Sequence, residues 1–282
     1  MARPRVLVVD GNRAETRARQ IAAGGKDSGE GYVETLSSLL PDLHCDIVRP
    51  ADGDVSLPPG VELGDYDGVV ITGSALNVYD GGPHVERQIE LARAVFAAGV
   101  PFFGSCWGLQ VAVTAAGGVV RPNPRGREFG FGRRIVLNAA GHAHPMFAGK
   151  ADVFEAVTVH RDEIATLPPD STPLASNEMG LQAAEIRHGR GVFWGVQYHP
   201  EYGYAEIAAT AVRYGQTLIA EGLFADAADL DRFVADARAL EASPDSPALN
   251  WRLGLGPGIR DRKQKLAEIE NWLRLEVVGR TR

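Results

Sequence analysis

Along the chain, short runs of β-branched and aromatic residues alternate with longer stretches whose apolar positions recur at helical spacing. The runs predict strands over 6–9, 46–48, 68–72, 101–103, 133–137, 151–158, 173–177, 181–187 and 192–197. Helical patterns fall over 34–40, 83–98, 109–116 and 205–221. In the last of these, Ile207, Ala208, Ala211, Val212, Leu218 and Ile219 form an approximate stripe. Strand and helix in alternation predict an α/β fold, a mostly parallel central sheet with helices on both faces. The strand-rich middle, 125–187, predicts an antiparallel excursion. Gly24-Gly25 and Gly29-Glu30-Gly31 predict a long loop after the first strand.

The pattern changes near residue 226. Residues 226–246 are acidic and alanine-rich, Ser243-Pro244-Asp245-Ser246-Pro247 reads as a turn, and Gly254-Leu255-Gly256-Pro257-Gly258 speaks against regular structure. Residues 261–275 then read as a helix with Leu266, Ile269, Trp272 and Leu273 on one face. The expected division is a catalytic domain over 1–225 and a mainly helical C-terminal extension over 226–282, which has too few strands to form a second catalytic domain. The Trp272 and Leu273 stripe either docks on the main domain or pairs two copies as a homodimer, and the sequence leaves both open.

Composition narrows the class of function. With 282 residues, 45% hydrophobic and 23% charged, the chain is globular and long enough to bury a substantial core. Its 29 Lys and Arg against 36 Asp and Glu give a formal charge of -7, which argues against a nucleic-acid or anionic-membrane surface. The apolar run Arg5-Val6-Leu7-Val8-Val9-Asp10 is too short for a signal-peptide core, and no stretch approaches the roughly 20 apolar residues of a membrane span. The expected compartment is the cytoplasm. Two cysteines, Cys45 and Cys106, make no disulfide scaffold. His142-Ala143-His144 has metal-pair spacing but no third ligand beside it, so no metal is expected. Neither GxxxxGK[ST] nor GxGxxG occurs, and no cofactor is expected. The basic run Arg260-Asp261-Arg262-Lys263-Gln264-Lys265 reads as a solvated helix face, with contact to an acceptor subunit as the lesser reading.

The chemistry concentrates in Gly104-Ser105-Cys106-Trp107-Gly108, set between an apolar strand and a helix. This is a nucleophile elbow, G-x-nucleophile-x-G, with cysteine in the reactive slot. The helix that follows turns its free N–H groups and positive end toward the sulfur, favouring thiolate. Cys45, in Leu43-His44-Cys45-Asp46-Ile47, has no such setting and reads as filler on a strand. A thiolate needs a base and the base an orienting group. His199 follows the strand Val192-Phe193-Trp194, and Glu201 lies two residues on.

The segments Gly104-Ser105-Cys106-Trp107-Gly108-Leu109-Gln110 and Gln197-Tyr198-His199-Pro200-Glu201 resemble those of the class I (triad) glutamine amidotransferases, G-[IV]-C-x-G-x-Q followed by H-P-E. The stand-alone, GMP-synthase-like subgroup is the most similar. The resemblance spans about residues 5–225 and implies a flavodoxin-like fold. Ile71-Thr72-Gly73-Ser74 is similar to the family's oxyanion loop, Glu128-Phe129-Gly130 to its E-x-G hairpin, and His160-Arg161-Asp162 to its H-x-D segment. Ser105 stands where Ile or Val is usual, Leu109 where His or Met is commoner, and Thr72-Gly73-Ser74 replaces Gly-Gly-Pro.

The resemblance implies a Cys106–His199–Glu201 triad that hydrolyses the side-chain amide of glutamine through a glutamyl thioester. The oxyanion would be held by the N–H groups of Gly73 and Trp107. Gln110, His160 and Asp162 would contact substrate. Ammonia would pass to a separate acceptor synthetase subunit. Two other readings share these residues: a free-standing γ-glutamyl hydrolase acting on γ-glutamyl amines, and a regulatory module without catalysis.

Overall fold

Val6, Leu7, Val8 and Val9 are apolar without alternation, as a strand covered on both faces must be. In the computed structural model, which describes residues 3–280, β1 (Arg5–Val9) lies between parallel neighbours β2 (His44–Val48) and β3 (Gly68–Ile71). β4 (Phe102–Ser105) pairs parallel with β3, and β11 (Gly191–Val196) pairs parallel with β4. These five strands form the parallel half of a nine-stranded sheet. The strand-rich middle supplies an antiparallel half, β10 (Gly180–His188), β9 (Ser171–Asn177), β6 (Gly130–Leu137) and β7 (Val153–Thr158), in that order outward from β11. A separate hairpin-like pair, β5 (Val119–Pro122) with β8 (Asp162–Thr166), was not expected from the pattern.

Helices cover both faces. The loop expected after β1 holds α1 (Ala14–Ala22) and the first half of α2 (Ser28–Leu39), a correction to the glycine-based reading, while the helix expected over 34–40 is the second half of α2. Asp27 caps α2 by accepting from the N–H groups of Gly29 and Glu30. Gly29 is there for contact, since a Cβ would lie 3.1 Å from Ile47 and 3.4 Å from Asp10. Tyr32 and Leu36 of α2 join Val6, Val8, Val70 and Phe103 in one core layer. On the opposite face, α3 (Pro83–Ala98) and α4 (Trp107–Ala115) pack on Leu7, Val9, Val69, Ile71 and Phe102. The period-2 split of neighbouring residues between two cores is the pleat of a doubly covered sheet. A short α5 (Ala139–Ala143) follows β6, and α6 (Tyr204–Ala220) follows β11.

Beyond residue 226, α7 (Ala227–Ala242) packs along α6, with Leu230, Val234 and Ala237 against Ile207, Ala211 and Leu218. The turn at 243–247 is present and leads into α8 (Pro247–Arg252). The stretch 254–258, expected to be irregular, contains the start of a short helix, α9 (Pro257–Arg260), because proline suits a first helical turn. α10 (Arg262–Trp272) runs on into a π-turn, Leu273–Val278. Leu266, Ile269, Trp272 and Leu273 all point into the α2 side of the sheet core. The stripe therefore docks on the main domain. Among the described residues, no helix is long and apolar enough to cross a membrane.

Candidate active site

Cys106 sits between β4 and α4 with φ 52° and ψ -98°, a strained backbone position for a residue with a side chain. The flanking glycines make the turn closable. A Cβ on Gly104 would lie 2.8 Å from the Gly108 backbone, and one on Gly108 would lie 2.5 Å from the Ile71 carbonyl oxygen. The Cys106 N–H donates to the Val196 carbonyl at 2.7 Å, tying the elbow to β11.

The register Val196 to Ser105 carries the end of β11 past the elbow. His199 arrives there three residues later, its own N–H donating to the Val157 carbonyl at 2.8 Å. Its ring is 2.7 Å, Nδ1 to Oε1, from Glu201, and both side chains are almost fully buried. The ring is confined on two further sides. Tyr202 stacks on it with centroids 4.1 Å apart, and a Cβ on Gly73 would lie 2.5 Å from its Cε1. Burial alone would push the imidazole down, but the Glu201 carboxylate and the Cys106 sulfur outweigh it and raise the ring to about 10. Gln197 donates its amide to the Cys106 sulfur at 3.6 Å.

The second oxygen of Glu201 is also engaged. Ser105 Oγ donates to Oε2 at 2.9 Å, and Tyr32 from α2 lies 2.8 Å behind Ser105 Oγ. Ser105 and Tyr32 are fully buried. Cys45, by contrast, is half-buried on β2, where burial and then Asp46 push its thiol up to about 11. It stays protonated and unreactive at neutral pH.

A cavity of about 310 Å³ opens on Cys106 and His199. Gln110, one turn into α4, lines it, as do His160 and Asp162. Both of the latter are buried rather than solvated, at 4% and 3% exposure. His160 Nε2 lies 2.8 Å from Glu128, which also accepts from Asn177 and Gln182. Asp162 accepts from the Tyr79 hydroxyl at 2.8 Å, and burial raises its carboxyl above the usual range. Arg127 and Arg161 share the wall and both pair with Glu221. Trp107 is the first residue of α4, where a backbone N–H has no intrahelical partner. Its indole is used elsewhere, donating to Gln88 at 2.7 Å. A second cavity, about 540 Å³, lies beyond Gly73 and Glu201 and is lined also by Arg260, Arg262 and Lys265. That part of the basic run thus faces a cavity. His142 and His144 face Asp152 and Glu185 separately, and among the described residues no group of three or more metal-ligating side chains forms.

Of the residues singled out in the sequence, Cys106, His199 and Glu201 meet at one place, while the Tyr32 and Ser105 hydrogen bonds and the Tyr202 stack were not foreseen. Tyr202 follows the His-Pro-Glu segment directly, so its position was the available signal. Tyr32 lay in the stretch expected to be loop, and nothing local marked it.

Comparisons with known proteins give the family of the chain. The family model for glutamine amidotransferase class-I matches residues 26–212. The chain is 37% identical over 228 residues to a gamma-glutamyl-L-1-hydroxyisopropylamide hydrolase of a Pseudomonas species, covering 79% of this chain and 76% of that protein. It is 29% identical over 195 residues to a glutamine-hydrolysing GMP synthase of Phaeosphaeria nodorum, covering 66% of this chain but only 33% of that protein. A glutamine amidotransferase from Methylobacillus flagellatus, 21% identical, shares the fold over 97% of this chain and 95% of its own with a TM-score of 0.66. The chain belongs to the class I glutamine amidotransferase family and is a cysteine amide hydrolase of that family.

Proposed function

We propose that this chain is a free-standing hydrolase of γ-glutamyl amides, with Cys106 as nucleophile, His199 as base and Glu201 as the group that orients it. The meeting of the Cys106 elbow with a His199 ring fixed from three sides carries the chemistry. The extent of similarity favours the substrate class: three quarters of the Pseudomonas hydrolase is matched, against a third of the GMP synthase.

The Glu201 carboxylate accepts from Nδ1–H and leaves Nε2 to face the sulfur. With its ring raised to about 10, His199 is basic enough to take the Cys106 proton as the sulfur attacks. Cys106 attacks the γ-carbonyl carbon, and the N–H groups of Gly73 and Trp107 hold the oxyanion. Losing one such donor costs about 10²–10³ in rate. His199 then protonates the departing amine, leaving a glutamyl thioester. Water, deprotonated by His199, releases glutamate and restores the thiol. Gln110 and His160 line the glutamyl site. Asp162 meets the α-ammonium group, and Arg127 and Arg161 face the α-carboxylate.

The test is glutamate release from γ-glutamyl-isopropylamide and from glutamine, for the wild type and Cys106→Ala. Turnover of the amide at a higher kcat/KM than glutamine, abolished in Cys106→Ala, is expected. A preference for glutamine would move the reading to an amidotransferase that feeds a synthetase partner, the arrangement the GMP synthase similarity favours. Unchanged turnover in Cys106→Ala would refute the nucleophile.

A further inference from the structure

A triad carboxylate has two oxygens, and the base uses one. In this chain Glu201 Oε1 accepts from His199 at 2.7 Å, and Oε2 accepts from Ser105 at 2.9 Å. Proton counting fixes the direction of the next bond. Ser105 has one hydroxyl hydrogen and spends it on the carboxylate, so at the 2.8 Å contact Tyr32 must donate to Ser105 Oγ. Burial, followed by the charge of Glu201, holds the Tyr32 phenol well above its usual range, so it keeps the proton it donates. The result is a directed chain, Tyr32 to Ser105 to Glu201, inside a buried layer where each bond reinforces the next. The Ile or Val usual in the resembling family at position 105 could make neither bond.

We infer that Ser105, backed by Tyr32, is a positioning residue of the triad, which pins the second oxygen of Glu201 and through it the orientation of His199. The inference rests on the triad reading above. Glu201 is not held by its own loop alone: His199 precedes it, Ser105 comes from β4 and Tyr32 from α2, Tyr202 follows it, and the charge of Lys265 in α10 faces it across the second cavity. Removing the Ser105 hydroxyl leaves Oε2 without its close donor and frees the carboxylate to turn.

Valine and threonine at this position have the same shape and differ in the hydroxyl, and a β-branched residue is what the family pattern carries there. Ser105→Val is expected to lower kcat roughly tenfold to a hundredfold, the scale of a lost hydrogen bond to a charged group, with KM changed by less than about threefold. Ser105→Thr should restore most of the rate. Tyr32→Phe should lower kcat by about three- to tenfold, on the scale of a neutral hydrogen bond, in the wild type and by nothing further in the Ser105→Val background. Alkylation of Cys106 by iodoacetamide against pH reads the Cys106–His199 pair without any substrate. Its acid limb should move up by about one pH unit in Ser105→Val and return in Ser105→Thr. Val and Thr variants with equal kcat and equal alkylation profiles would overturn the inference, as would a full Tyr32→Phe effect in the Val background. If the wild type turns over no γ-glutamyl amide, the substrate reading fails, and the alkylation profiles still decide the role of Ser105.

Discussion

His199 is held by opposing forces: burial disfavours its charged form, and Glu201 with the Cys106 sulfur favours it more strongly. Its folded value of about 10 against an ordinary 6.5 means the folded state binds more protons than the unfolded chain between those values. This contribution to stability is fully present below about pH 6.5 and is lost as the pH rises through 10. The melting temperature should therefore fall between pH 7 and 10.5. In Glu201→Gln, which removes the charge that raises the ring, that fall should be visibly shallower. Equal slopes in thermal scans of the two proteins would show that His199 does not carry the effect. The three residues of the proposed triad were legible because each lies in a short local pattern, glycines around Cys106 and Pro200 between His199 and Glu201. The partner of Ser105 was not, because residues 32 and 105 meet only through the packing of α2 on β4.

At the scale of elements, the elbow depends on α4 approaching β3 closely enough that only glycine fits at 108. A Cβ there meets the Ile71 carbonyl oxygen at 2.5 Å, a backbone atom that cannot swing aside. Gly108→Ala should destabilise the fold by about 1–3 kcal/mol, the usual cost of forcing an extra group into a packed core. Urea denaturation would measure it, and an unchanged midpoint would contradict the close approach. The same property explains why the first half of α2 was not foreseen. Glycine reads as a loop former, yet Gly29 lies inside α2, where a Cβ would crowd Ile47 at 3.1 Å. A glycine needed for a positive φ and one needed for close contact look alike in sequence. The β5 and β8 pair escaped for a different reason: β5 carries the polar Arg121 and ends on Pro122, and β8 mixes Asp162, Glu163 and Thr166 with one large apolar residue, Ile164.

Across the whole molecule, the residues after 226 share one core with those before it. Trp272 is fully buried, its ring 6.0 Å from Phe103 and close enough to β3 that a Cβ on Gly68 would lie 2.8 Å from it. Trp272→Ala should cost about 3–5 kcal/mol, measurable by urea denaturation. A loss below 1 kcal/mol would mean that the helix only rests on the sheet. A buried trio ties the same helix to the segment that carries His199: Glu268 pairs with Lys150 at 2.9 Å and accepts from Tyr198, the neighbour of His199. This arrangement sets an order on the birth of the molecule. Every described strand is made before Glu268 and Trp272 exist, so Phe103 and Gly68 lack the Trp272 ring against them and Tyr198 waits without its acceptor. The sheet is sealed, and the residue beside His199 anchored, only after every described strand has been made.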